Sequence, residues 1–164
     1  MQSFKIIKPI HILTPYVRYY WILEDGADVS VSERTLPTGC IQLVFHRGKR
    51  LLLVGKKESQ PQAFICGQCL NFSDVMSAGK IEMITVVFQP YAARAILQLP
   101  LKFFYGELIA VDAIEDLELS ILSRKVIEAD DHETCIRLIE QFLIHRLYRF
   151  EGYEYNLKRI SAVL

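Results

Sequence analysis

The chain has no surplus of either charge: 19 Lys and Arg stand against 19 Asp and Glu in 164 residues. A surface that grips nucleic acid needs a basic face, so this balance excludes DNA or RNA binding by the segment alone. It excludes a polybasic membrane-surface role on the same ground. No apolar run approaches the roughly 20 residues that span a bilayer. The opening MQSFKIIKPIH lacks the unbroken apolar stretch of a secretory signal. Cysteine is scarce, with four in the whole chain. Without an export signal these are expected as reduced thiols in a cytoplasmic protein rather than as a disulfide framework. Walker loops, G-x-G-x-x-G, G-x-S-x-G and H-E-x-x-H are all missing, so no known catalytic signature points to an enzyme.

What is present is a well-supplied core. Hydrophobic residues make up 51% of the chain, enough for one ordinary domain to fold on its own. The first part reads as strands. YVRYYWILED (16–25) is rich in aromatic and β-branched residues, AFICGQC (63–69) holds a short apolar run, and KIEMITVVFQP (80–90) is the longest β-like segment. CIQLVFHRGKRLLLVG holds two apolar runs around Arg47-Gly48-Lys49, which predicts a hairpin. With FKIIK near the start, about seven strands are expected, antiparallel because turns recur without long helices between them. Residues 56–62 and 71–80 read as loops.

The second part reads as helices. PYAARAILQLP (90–100) is bounded by prolines and suits two turns. In 111–129, Ile114, Leu117 and Ile121 take helical spacing, with Asp112 as N-cap. In 130–150, Asp130 and Glu133 have capping-box spacing, and Ile136, Ile139, Leu143, Leu147 and Phe150 line one face. Strands followed by helices predict an α+β fold: an antiparallel cupin-like β-barrel or sandwich followed by C-terminal helices. The expected organisation is a strand region over 1–105, a helical region of the same domain over 106–150, and the start of a linker over 151–164.

Candidate sites are few. The C-x-x-C of Cys66 and Cys69 follows Phe64 and Ile65 in a strand, where no helix dipole lowers a thiol pKa, and has no second ligand pair for zinc. The histidines, His11, His46, His132 and His145, show no ligand spacing, so no metal or cofactor is expected. His132 and His145 read as solvated. On a strand over 41–46, Gln42, Val44 and His46 share one face. If that face points into a barrel, these residues orient a small ligand beside Trp21, the sole Trp. If it points outward, it is an ordinary solvated face. Leu138, Phe142 and Arg146 lie beside the apolar stripe of the 131–150 helix and are the candidate dimer surface.

Several segments in order, YVRYYWILEDG, RTLPTGCIQLVFHRG, ICGQ, ITVVFQPYAARAILQLP and FFYGELIAVDAIED, resemble the N-terminal half of AraC-type bacterial transcription regulators. The likeness spans about residues 15–150. It is strongest to the branch with LPDG-, ELIF- and RFRPGGA-like segments, here LPTG (36–39), IQLVF (41–45) and VFQPYAA (87–93). Gln42 stands where an acidic residue is usual, and Tyr91-Ala92 where Gly-Gly is usual. The resemblance implies a cupin-like sensor barrel with linking or dimerising helices, controlling a DNA-binding domain of two helix-turn-helix units. It implies a small-molecule effector, a homodimer, DNA contact only through that further domain, and no membrane. Leu157, Ile160, Val163 and Leu164 take helical spacing with no stop signal, so residues 151–164 are expected to lead into it. The alternatives are a cupin-like small-molecule-binding protein or metal-dependent enzyme, and an interaction module without a ligand.

Overall fold

Alternation along the longest strands sets the architecture. In the computed structural model, residues 2–27, 30, 32–35, 38–68, 71–106 and 108–149 are described. The strands are β1 (Gln2–Ile7), β2 (Val17–Asp25), β3 (Ser32–Thr35), β4 (Gln42–His46), β5 (Leu52–Leu53), β6 (Glu58–Ser59), β7 (Ala63–Cys66), β8 (Ser73–Met76), β9 (Ile81–Phe88) and β10 (Ile109–Ala110). The helices are α1 (Ala93–Leu97), α2 (Leu117–Glu128) and α3 (His132–Arg149).

Strands β2 to β9 pair as one long nested hairpin. β5 meets β6, β4 meets β7, β3 meets β8 and β2 meets β9, all antiparallel. The hairpin then rolls on itself, so that β4 also pairs with β9 and β5 with β8. The result is a six-stranded sheet, β1-β2-β9-β4-β7-β10, and a four-stranded sheet, β3-β8-β5-β6. Among the described residues the two sheets stay open at their edge strands and do not join into a closed barrel. The fold is therefore mixed α+β with two antiparallel sheets and C-terminal helices.

The six-stranded sheet is the middle layer. Tyr20, Ile22, Leu43, Phe45, Ile65, Ile84, Val86 and Phe88 cover one face and form the main core with α1, α2 and α3. The opposite face carries Val44, Phe64 and Met83, which pack with Leu51 and Val75 of the four-stranded side in a second, smaller core. Trp21, Leu23 and Leu53 flank that second core half-buried. A period of two thus sorts one strand's side chains between two separate apolar layers.

Several expectations are corrected here. The runs on either side of Gly48 do not form a hairpin, because β4 and β5 lie in different sheets. The chain after β4 instead runs along the start of β9, with Arg47 and Gly48 N–H both donating to Glu82 O and Lys49 N–H to Lys80 O. Only glycine fits there: a Cβ on Gly48 would lie 2.7 Å from both Glu82 N and Lys80 O. The segments read as loops contain β6 and β8, strands too short and polar to give a periodic signal.

α2 starts later than expected. Its N-cap is Asp116, whose carboxylate accepts from Leu119 N–H at 3.0 Å. Leu119, Leu122 and Val126 face the core, while Leu117 and Ile121 are exposed and Ile114 is buried ahead of the helix. α3 is capped one residue later than Asp130, by Asp131, which accepts from Thr134 N–H at 2.7 Å. That bond is the main reason its carboxyl sits below the usual range. Ile136, Ile139, Leu143 and Leu147 are buried as expected. Phe150, Cys69, Leu36 and Pro37 of LPTG, and the tail over 151–164 lie outside the described residues.

Candidate functional site

The strand register places the expected ligand residues in rows on the face that looks at the four-stranded sheet. Trp21 pairs with Thr85, and Thr85 with Val44, which in turn pairs with Phe64. One row away, Leu23 pairs with Met83 and Met83 with His46. In the row on the other side, Val87 pairs with Gln42 and Gln42 with Cys66. Trp21, Gln42, Val44 and His46 therefore do share one enclosed layer. Trp21 and Gln42 are half-buried at its margin, and Val44 and His46 are buried. Gln42 donates to Thr38 Oγ1 at 3.2 Å.

His46 is fully buried, with Nε2 2.9 Å from Gln60 Oε1 and the ring 5.9 Å from that of Phe64. Burial is the main cause that lowers its pKa; Gln60 opposes the shift and the Arg50 charge adds to it. The ring is therefore neutral at neutral pH. An amide oxygen only accepts, so Nε2 carries the proton and Nδ1 presents a lone pair. That Nδ1 and the hydroxyl of fully buried Thr85 have no hydrogen-bond partner among the described residues. Sequence reasoning missed Thr85. Its signal was its position on the β-like run 80–90, opposite Trp21 and Val44, and register cannot be read without the pairing. At one end of this layer Leu23, Leu51, Val75 and Ile81, together with Gln2, Asp25, Glu33 and Ser77, line a cavity of about 30 Å³.

The helix-facing side of the same strands carries a polar clasp. Glu24 and Glu82 are directly opposed on β2 and β9, an arrangement that repels unless a cation answers it. His132, the first residue of α3, places Nε2 at 3.0 Å from Glu82 and 3.6 Å from Glu24. The expectation that His132 is simply solvated is corrected: it is half-buried between two carboxylates. Arg47 completes the clasp. Its Nε lies 2.8 Å from Glu82, Nη2 donates to Ala129 O at 2.6 Å, and Nη1 donates to Cys135 Sγ. Burial pushes the Cys135 thiol up, against the lowering effect of Arg47. The donor atoms of Glu24, Glu82 and His132 all lie within 4.8 Å of one another, close enough to hold a metal ion. Arg47 already supplies a positive charge to Glu82, which makes the group self-sufficient as an ion-pair network.

The dimer candidates divide. Leu138 and Phe142 are half-buried against the main core and keep an outer edge. Arg146 turns inward and is 5% exposed. It holds both oxygens of Asp116 at 2.6 Å, donates to Leu97 O at 3.1 Å and stacks 4.9 Å from the Phe142 ring centroid. Arg146 thus ties α3 to the start of α2, and it positions Phe142.

These features belong to a domain class with two sheets rolled from one hairpin and a helical layer clasped to the larger sheet. The chain is a member of the family described as a domain of unknown function, DUF6597, whose model matches residues 5–110. That match covers both sheets and stops before α2. No curated protein matches the chain significantly. No helix among the described residues is long and apolar enough to cross a membrane.

Proposed function

We propose that the chain is the effector-sensing and dimerising part of an AraC-type transcription regulator, acting in the cytoplasm. The nested, rolled hairpin has the strand order of a jelly roll, the double-sheet architecture that cupins use, which supports reading the rolled sheets as a cupin-like sensor. One observation carries the reading. The enclosed layer with Trp21, Thr85, Val44 and His46 and the clasp that holds α3 are opposite faces of the same strands. A ligand that favours one spacing of the sheets acts on β2, β4 and β9, and these strands carry Glu24, Glu82 and the approach to Arg47. Differential affinity for two arrangements of roll and helix then shifts the population that presents a partner surface.

The partner surface is the outer edge of α3 at Leu138 and Phe142, which a second copy of the chain covers. DNA contact belongs to a separate basic domain, since the present chain is neutral. The test fuses this chain to a DNA-binding unit that holds its operator only as a dimer. Repression of a reporter is expected, and its loss in the Phe142→Asp fusion. A fusion that never represses, with a chain that sediments as a monomer, refutes the proposal. Reading the gene beyond codon 164 supplies a second check: two helix-turn-helix patterns are expected there.

A further inference from the structure

We infer that the layer between the two sheets binds a small uncharged molecule carrying a hydroxyl group, such as an alcohol or a phenol, held by His46 Nδ1 and Thr85 Oγ1. The inference rests on the sensing role proposed above and gives that role its ligand chemistry. Two unpartnered polar atoms lie in one buried layer, on adjacent strands. Thr85 is directly opposite Val44, two residues from His46, so the two side chains are diagonal neighbours on one face. Diagonal neighbours are near enough for one small molecule to reach both. Buried groups of this kind almost always have a partner, so a pair left open marks the place of an ordered water or a ligand.

The chemistry of the layer selects among ligands. His46 offers only a lone pair at Nδ1, because its Nε2–H donates to Gln60 Oε1 and the neutral ring has no second proton. The ligand must therefore donate. The Thr85 hydroxyl either donates or accepts, so a hydroxyl group satisfies both atoms. The remaining walls, Trp21, Val44, Phe64, Met83 and Val75, are apolar and fit a hydrocarbon body. Asp25 and Glu33 line the nearby cavity and repel anions. A cation would be desolvated with no buried carboxylate on this face among the described residues. The nearby cavity of about 30 Å³ holds little more than a water and is bordered by neither His46 nor Thr85, so a guest reaches these two atoms only by parting the sheets. The four-stranded sheet is the side that yields, because β5 and β6 have two residues each.

Two measurements on the purified chain test this. In the absence of ligand, Thr85→Val is expected to raise the thermal unfolding midpoint, because a methyl group replaces a hydroxyl with no partner. A lowered midpoint overturns the inference, since the hydroxyl is then already bonded, for instance to a structural water. The second measurement titrates cyclohexanol and cyclohexanone by calorimetry. The two have the same size, but the ketone cannot donate. Cyclohexanol is expected to bind about tenfold tighter, with the preference falling to about one in His46→Phe and weakened in Thr85→Val. Equal affinities in the wild type, or no binding of either probe, overturn the inference. If that happens while the reporter fusion still represses, the ligand class fails and the regulator reading stands. Preference for the alcohol in a chain that never dimerises keeps this site and removes the regulator reading.

Discussion

Replacing Arg146 by alanine gives the sharpest prediction, because so many groups converge on it. The guanidinium is nearly inaccessible, with a side-chain exposure of 6% against 13% for Asp116. It holds Asp116 with both oxygens at 2.6 Å, lies 3.0 Å from Glu118 and donates to Leu97 O. Its own backbone carbonyl accepts from Gln98 Nε2 at 2.8 Å, which ties α3 to the end of α1. Removing one partner of a buried pair leaves the other charge uncompensated, at about 3–5 kcal/mol. For a domain of this size that corresponds to a fall of roughly 6–20 °C in the unfolding midpoint. Asp116→Asn with Arg146→Met should recover most of the loss. Asn remains a good N-cap, the replaced pair carries no charge, and Glu118 keeps Arg149 as its cation.

Acid adds an independent readout on the same pair. Burial pushes the Asp116 carboxyl up, but the Arg146 hydrogen bonds, the Leu119 N–H and the Arg146 charge outweigh it, so the net shift is downward. A carboxyl depressed in the folded state contributes stability above its unfolded value, near 3.9. That contribution disappears as pH falls through the lower folded value. Wild-type stability should therefore drop in that acid window, and Arg146→Ala should show a shallower drop. Urea unfolding at a series of pH values measures both. If Arg146→Ala stays within about 0.5 kcal/mol of wild type, as ordinary surface changes do, the argument that Arg146 anchors the helices is wrong.

Three further outcomes follow from the same physics. Arg47→Met should destabilise the fold by about 3 kcal/mol, because it strips Glu82 and Ala129 O of a half-buried cation; denaturant titration measures this, and an unchanged midpoint would show that the clasp is ornamental. Gly48→Ala should lower stability by about 1–3 kcal/mol through overpacking, since its Cβ meets the β9 backbone at 2.7 Å; a neutral effect would mean that β9 moves freely. In native protein a thiol reagent should modify half-buried Cys66 well before buried Cys135, as mass spectrometry of digests would reveal, and early labelling of Cys135 would place it at the surface.

The layers were legible where the periodic signal was long. β2 and β9 carry eight or nine residues with strong apolar content, and the stripe Ile136–Ile139–Leu143–Leu147 on α3 needs no tertiary information. The ambiguity over Gln42, Val44 and His46 had a physical source. Both faces of β4 are buried, one by helices and one by a second sheet, so a choice between core and solvent could not describe them. β6 and β10 were invisible because they hold two residues each, and β5 was legible only as an apolar run whose partner was misassigned. Their pairing comes from the rolling of the hairpin, not from local propensity. The α2 register was misjudged because Ile114, Leu117 and Ile121 keep helical spacing by coincidence, while Asp116 sets the true start through its cap. Thr85 and the clasp of Glu24, Glu82, Arg47 and His132 depend on register between segments about 25 to 110 residues apart, and a single sequence does not encode register openly.

The nested pairing also dictates how the polypeptide must be assembled. The innermost turn, between β5 and β6, closes over a few residues, whereas β2, paired on one side with β1, waits for its second mate, β9, about 60 residues downstream. Loop closure over that span is slow. On the ribosome β2 therefore emerges long before β9 exists, and the β1–β2 pair leaves the β9 side of β2 as an open ladder. The rational place to look for chaperone dependence or aggregation is that interval of synthesis, and a nascent chain stalled before residue 81 should be the stickiest species the gene produces.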